Sequence, residues 1–362
     1  MDFFPSRTLA FYMAKMFLIR VFSVAALLVL VLMSLDLLGE SGKILANPEN
    51  GEAELWTYVS LRAPQIIAFA LPFSVLLGSL VTLATLNQNS EVISMKSGGL
   101  SAHQILAPLI LASMLVAIGS FLFNDVVVAP STARLSAWQK VDFGPIPKEA
   151  NVRTNIWVKD GSNLVNAKTV TGRGANVVLG DITLFARTEN GLKNVLQAKE
   201  GRFDENGLIA TKVSEFDVRT GAEEEIESLK IGENLQPDQF TLSDVNAEGL
   251  SWLDLQSAIQ ELQQAGRPTM SLEGALWHKI AKPLSAILMP LLGAVAAFGL
   301  ARSGQLFIRA VIGMALGFAY FVAENFALAM GNIGAYPPLL AAWSPFILFF
   351  LIGETVLIRT EE

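Results

Sequence analysis

Few side chains in this 362-residue chain could do chemistry, and their types exclude most reactions before any fold is considered. There is no cysteine, which removes thiolate catalysis, disulfides and iron–sulfur ligation. The two histidines, His103 and His278, are too few for a histidine-rich metal site. Gly42-Lys43-Ile44 imitates the end of a phosphate-binding loop, but Leu37 stands where the upstream glycine belongs. Neither H-E-x-x-H nor a G-x-S-x-G elbow occurs. What remains are charges in or beside long apolar runs: Asp36, Glu324 and Glu354, with Lys43, Arg62, Lys279 and Lys282 near run ends. An ionisable group in an apolar medium is costly unless it pairs or meets a charged ligand, so each is a candidate for ligand contact or gating. Glu324 is the foremost, about six residues from the end of its run. Trp277, His278, Lys279 and Lys282 also read as an interfacial anchor, with aromatic rings at headgroup level and lysines snorkelling. Paired carboxylates for an intramembrane enzyme are not evident, because Glu324 and Glu354 belong to different runs. No cofactor or metal is expected.

The elements that must position these groups are apolar helices. Hydrophobic residues make up 52% of the chain and charged ones 16%, against about 25% charged in soluble proteins. Three apolar stretches (Phe11 to Leu38, Ala63 to Leu86, Gln104 to Asn124) precede residue 125, and three follow residue 270 (Pro283 to Ala301, Leu306 to Met330, Leu339 to Ile358). Each approaches the roughly 20 residues needed to cross a hydrocarbon core. Arg7, Lys15, Arg20, Lys96, Arg302, Arg309 and Arg359 flank one side, and only Lys43 and Arg62 the other. The positive-inside rule then puts both termini in the cytoplasm and residues 125–270 outside. No cleaved signal peptide is apparent. The net charge of −7 argues against nucleic acid as a partner.

Residues 141–270 hold the whole excess of negative charge and read as β structure. Asp160-Gly161, Asn190-Gly191, Asn206-Gly207 and Thr220-Gly221 are turn signals between β-prone runs at Asn155–Val158, Leu164–Val170, Val177–Ala186, Leu192–Ala198, Leu208–Val218 and Glu224–Ile231. Such spacing suggests an antiparallel sandwich or jelly roll, with Leu164, Leu184 and Phe185 as candidates for its interior. Ser251–Gln264 reads as a helix capped by Ser251 and stopped by Gly266-Arg267-Pro268. The expected fold is thus a membrane α-helical protein with a β insert. Residues 1–124 carry spans one to three, 125–270 the insert and a connecting helix, and 271–362 spans four to six. Between spans two and three, near 89–98, Asn89 or Ser90 can cap a short helix in which Glu91 meets the positive N-terminus. Val92 and Met95 share one face, which suits either the membrane surface or a cytosolic partner.

This pattern resembles the LptF/LptG-type permeases of the bacterial lipopolysaccharide exporter over essentially the whole chain. Ser90-Glu91-Val92-Ile93-Ser94-Met95-Lys96-Ser97-Gly98 is similar to the family's coupling helix. Ile156-Trp157-Val158-Lys159-Asp160-Gly161-Ser162-Asn163 is similar to the opening of its jelly roll. Leu276-Trp277-His278-Lys279-Ile280-Ala281-Lys282-Pro283-Leu284-Ser285 is similar to the start of its fourth span. The last two look more like the LptG branch. The resemblance implies a permease in the bacterial inner membrane that pairs with an LptF-like sister and sits on a cytosolic LptB-like ATPase dimer. It implies further partners, a periplasmic jelly-roll bridge and a single-span accessory protein of the LptA and LptC kinds. Lipopolysaccharide would enter from the outer leaflet between spans one and five. Leu28, Leu32, Ile312, Leu316 and Phe321 would give apolar wall, Lys43, Arg62, Lys279 and Lys282 headgroup contacts, and Glu324 a hold on span five. Glu91, Val92 and Met95 would couple to the ATPase. One departure is Asp36, where LptG-type members often carry a basic residue; it could pair with a neighbouring cation, leaving Lys43 for the ligand. Two other classes differ at defined points. A membrane-anchored envelope scaffold, binding partners without transport, has no need of a docking helix bearing Glu91. An ion-coupled transporter predicts more mid-bilayer polar groups than Glu324 and the kink at Pro72.

Overall fold

The computed structural model describes residues 6–144, 153–231, 235–237, 240 and 246–359, apart from 162, 173–176, 189–190, 205–206, 265 and 299–305. Arg302 and the asparagines of two predicted turns lie outside the described residues. Six helices are long and apolar enough to cross a membrane, three before and three after a six-stranded antiparallel sheet. Spans one and two are α1 (Arg7–Leu45) and α2 (Glu52–Gln88); a short α3 (Glu91–Ser97) leads to α4 (Ala102–Phe123). A π-helical turn, Asn124–Val128, joins α4 to α5 (Ala129–Lys140), so the third span continues well past residue 124. Pro130 explains the turn: it has no N–H to donate and its ring crowds the preceding carbonyls, and the widened turn absorbs both without ending the helix. After the sheet come α6 (Trp252–Gln264), α7 (Met270–Phe298), α8 (Leu306–Asn332) and α9 (Pro338–Arg359).

Local chemistry sets several helix ends. Ser101 and Gln104 cap α4 reciprocally: Gln104 N–H donates to Ser101 Oγ and Ser101 N–H to Gln104 Oε1. Ser251 caps α6 by accepting from Asp254 N–H, and Gly266, at φ 65°, stops it. The start of α3 departs from expectation. Ser90 is left-handed (φ 60°) and makes no side-chain cap, while Asn89 donates to Glu91 Oε1.

The helical core joins Met13, Phe17 and Val21 of α1 to Val75, Leu76, Leu80 and Leu83 of α2 and to the inner faces of α4 and α7. A Cβ at Gly78 would come within 2.6 Å of Val21 Cγ2 and 3.0 Å of its Cα, so α1 and α2 cross where only glycine fits. Between Val21 and Ile44, α1 has no buried residue.

The sheet pairs in chain order: β1 (Arg153–Asp160), β2 (Asn163–Thr171), β3 (Val178–Thr188), β4 (Gly191–Asp204), β5 (Gly207–Asp217) and β6 (Glu223–Ile231). Gly161, Gly191, Gly207 and Gly221 all take positive φ in the connecting turns, which glycine adopts without steric cost. One face is buried, but its alternation slips by one residue in each of the four middle strands. Inward residues run Ala167 then Val170, Leu179 then Ile182, Ala198 then Gly201, and Ala210 then Val213. The slips align across the register and coincide with left-handed Asp181 and Lys212. They form a crease, where the sheet folds over its own apolar face, and a Cβ at Gly201 would overlap Ile182. Leu235 and Phe240 fill the fold.

Candidate functional site

The bundle has two ends, one carrying the chain termini and one carrying the β insert. Three groups of the residues singled out above lie between them, and each is positioned differently.

At the termini end, α3 lies between α2 and α4. Val92 and Met95 are buried in the bundle core, so they root the helix in its own chain. Ile93, 67% exposed, and Lys96 face outward instead. Glu91 is half-buried and accepts from Asn89 and from Tyr12 of α1. Nearby, His103 Nε2 lies 3.1 Å from Glu354 Oε2, joining the start of α4 to the end of α9.

At the insert end, Asp36 of α1 meets Arg62 of α2. Arg62 Nη2 donates to Asp36 Oδ1 at 2.8 Å, and Nε reaches both carboxylate oxygens at 3.1 Å. The remaining nitrogen, Nη1, donates to Gln65, whose Nε2 donates to Thr132 of α5 at 2.9 Å. Tyr58 Oη donates to Asp36 Oδ2 at 2.6 Å. Around this network Ile44, Tyr58, Leu135, Trp138 and Phe143 form a separate apolar core. Asn50 closes it by donating to the carbonyls of Ile44 and Phe143. Three helices are therefore tied at one point. Lys43, by contrast, is 66% exposed and among the described residues pairs with Glu40 of its own helix alone.

Inside the bundle, Glu324 of α8 is 5% exposed. His278 Nε2 of α7 lies 3.1 Å from its Oε1, and Tyr320 Oη donates to the same oxygen at 3.5 Å. Glu324 and Tyr320 line a narrow cleft whose apolar lining includes Phe69 and Phe73 of α2 and Phe321. The three rings touch, with centroids 5.1–5.8 Å apart. Lys282 reaches the cleft from α7 and makes no ion pair among the described residues. Lys279 is half-buried one turn away, near Asp125 and Glu248. Of the other expected wall residues, Leu28, Leu32, Ile312 and Leu316 are half-buried on α1 and α8 and do not line this cleft.

In the insert, Leu184 lies in the interior. Leu164 and Phe185 do not: they pair across β2 and β3 on the opposite face, where Phe185 stacks on Trp157. A strand's period of two fixes this, because Val165 and Leu184 already point inward. That outward face continues through Val195 to Phe216, 43% exposed, near the β5–β6 turn.

Tyr58, Gln65, Thr132 and Tyr320 escaped the sequence reading. A faint signal existed for two of them. Tyr58 precedes Arg62 by four residues and Tyr320 precedes Glu324 by four, spacings that share a helix face. The pairing of His278 with Glu324, 46 residues apart, had no such signal.

The family model described as lipopolysaccharide export system permease LptF/LptG matches residues 11–359. The chain is 28% identical over 317 residues to the lipopolysaccharide export system permease protein LptG of Escherichia coli K12, covering 83% of this chain and 84% of that protein. It is 24% identical over 323 residues to the LptG protein of Haemophilus influenzae, covering 86% and 88%.

Proposed function

This chain belongs to the LptF/LptG family of lipopolysaccharide export system permeases, and we propose that it lifts lipopolysaccharide from the outer leaflet of the bacterial inner membrane onto its own periplasmic β insert. It is a multi-pass membrane subunit of an ABC transporter and not the catalyst that hydrolyses ATP. In this reading both termini are cytoplasmic. An LptF-like sister permease completes the cavity, and an LptB-like ATPase dimer binds beneath. The insert passes lipid to LptA- and LptC-like periplasmic partners.

The observation that carries the coupling step is the build of α3. A seven-residue helix rooted by Val92 and Met95 cannot swing freely, so a push on its outward face moves the α2–α4 junction. Ile93 supplies an exposed apolar anchor for an ATPase groove, and Glu91 sits at the helix start. Val92 and Met95 therefore act by transmitting force. Phe321 and the aromatic cleft offer acyl-chain surface, and Lys282 reaches that cleft without an ion pair among the described residues. Exposed Lys43 can turn to phosphate from Glu40 on its own helix, as Lys279 can from Asp125 and Glu248. Arg62 reaches a phosphate only by exchanging Asp36 for it. Glu324 holds α8 against α7 until the cavity fills.

The test is purification of the chain with its partners after Ile93→Asp or Glu91→Ala. The expected result is loss of the ATPase from the complex, or ATP hydrolysis without lipid release. Full ATPase retention together with normal lipid release in both variants would remove α3 from the coupling path.

A further inference from the structure

We propose that His103 and Glu354 form a relay that carries a push on α3 into the second half of the chain, handing it from α4 to α9; this rests on the coupling reading of α3 above. The path starts at a stiff corner. Gly99 takes φ 87° after α3; its N–H donates to the Lys96 carbonyl at 3.0 Å, and that of Leu100 to the Met95 carbonyl at 3.1 Å. This is the hydrogen-bonded stop that a left-handed glycine gives a helix, and Met95 and Leu100 close it by packing on one core. Ser101 then caps α4 at once. With the turn bonded at both ends, α3 and the first turn of α4 move as one piece.

The receiving element is α9, where Glu354 stands 251 residues beyond His103. Its buried residues Pro345, Phe349, Gly353 and Leu357 recur every four positions and make a stripe against the core. A Cβ at Gly353 would lie 2.8 Å from Leu291 Cγ, so α9 sits on α7 with no space to spare. Glu354, one position around the helix from that stripe, instead meets His103, with Oε2 3.1 Å from Nε2. Among the described residues α4 and α9 each pack along α7 and not along one another. Apolar faces of this kind resist separation but can slide, because their attraction has no preferred direction. A hydrogen-bonded pair at the rim resists sliding, because its geometry does have one. The two side chains are 35% and 28% exposed, so the pair adds little stability. What it adds is a fixed distance between the start of α4 and the end of α9. His103 and Glu354 are therefore positioning residues, and neither has to touch the lipid or the ATPase.

The experiment uses the whole complex in nanodiscs of phosphatidylethanolamine and phosphatidylglycerol loaded with lipopolysaccharide, with all native cysteines of the partners removed. ATP hydrolysis, lipid release and ATPase retention are measured together for His103→Ala, Glu354→Ala and the double variant. Each single variant should keep the ATPase bound and the thermal midpoint unchanged, yet raise ATP consumed per lipid released by roughly fivefold, the low end of a coupling between sites. The double variant should be no worse than either single one, because all three remove the same interaction. His103→Cys with Glu354→Cys, in a chain with no other cysteine, should also be uncoupled. Bridging the two thiols with a short bis-methanethiosulfonate should restore the wild-type ratio, and reduction should undo the repair. A merely structural pair would move the midpoint and leave the ratio alone. The relay is overturned by an unchanged ratio in both single variants, by effects that multiply in the double variant, or by a bridge that blocks lipid release. Loss of the ATPase from either single variant would make the pair a docking contact and overturn it too. If Ile93→Asp and Glu91→Ala leave coupling intact, the reading of α3 falls and the relay with it. If those two uncouple while His103→Ala and Glu354→Ala do not, the relay alone falls.

Discussion

Arg62 commits all three of its guanidinium nitrogens to neighbours, whereas Glu324 is held by one imidazole nitrogen and a longer contact from Tyr320. The first cluster is larger, yet its members keep contact with solvent; the Arg62 and Asp36 side chains are 34% and 21% exposed. The second is sparse, and although the His278 side chain keeps 23% exposure, that of its carboxyl partner Glu324 is nearly dry, at 7%. Redundancy and burial thus pull in opposite directions. Losing one member of the Asp36 cluster leaves other partners and water, but losing His278 strands a buried carboxylate. Size therefore does not rank these sites; solvent access does.

The largest effect should come from His278→Ala, which leaves Glu324 buried with Tyr320 alone. Breaking one side of a buried pair costs about 3 kcal/mol or more. The thermal midpoint in detergent should fall accordingly, and adding Glu324→Gln should recover most of it by replacing the stranded carboxyl with a neutral amide. A His278→Ala variant as stable as Asp36→Ala would break the comparison outright. Next is the pair of glycine crossings. Gly78→Ala presses on Val21 backbone and should cost about 1–3 kcal/mol, the usual range for overpacking. Gly317→Ala meets the Leu76 side chain and no backbone, so its midpoint should fall visibly less; equal losses would show that Leu76 cannot yield. Smaller again is Asp36→Ala, at about 1 kcal/mol, since a part-exposed pair is worth little and Arg62 keeps Gln65.

The smallest effect lies in the insert and sharpens the role of solvent. Asp217 accepts the N–H groups of Thr220 and Arg219, both at 2.8 Å, and these hold its carboxyl below the ordinary range. A lowered folded value means the contribution is complete above the ordinary carboxyl pKa of about 4 and is lost as pH falls through the folded one. Protection of the Gly221 amide, measured against its intrinsic exchange rate at each pH, should therefore fall slightly from pH 6 to pH 3, and Asp217→Ala should abolish that change in protection. Because Asp217 ends β5 and these bonds stay within the β5–β6 turn, the rest of the sheet should not respond.

The elements were legible in the sequence because their signals are local. Apolar runs of the right length marked all six spans, turn glycines marked four hairpins, and Ser251 marked a helix start. Even so, α1 with its 39 residues is about 58 Å long, well beyond its apolar run, because nothing in Gly39–Ile44 terminates a helix that a second core holds. Periodicity put Val92 and Met95 on one face but was silent on whether that face meets a partner or the chain's own core. The same limit applied to Leu164 and Phe185, which alternation assigns together but to neither side of the sheet.

Sequence by itself determined what each segment becomes, since helix length, strand period and turn chemistry depend on residues within a few positions of one another. The tertiary structure alone decided which charges are free. Asp36 and Arg62 are 26 residues apart, and Gln65 and Thr132 are 67 apart. Their meeting depends on how closely α1, α2 and α5 approach, and that is set by Gly78 against Val21 and by the second core. A cation's availability to a ligand is a property of its nearest carboxylate, and long-range packing chooses that carboxylate.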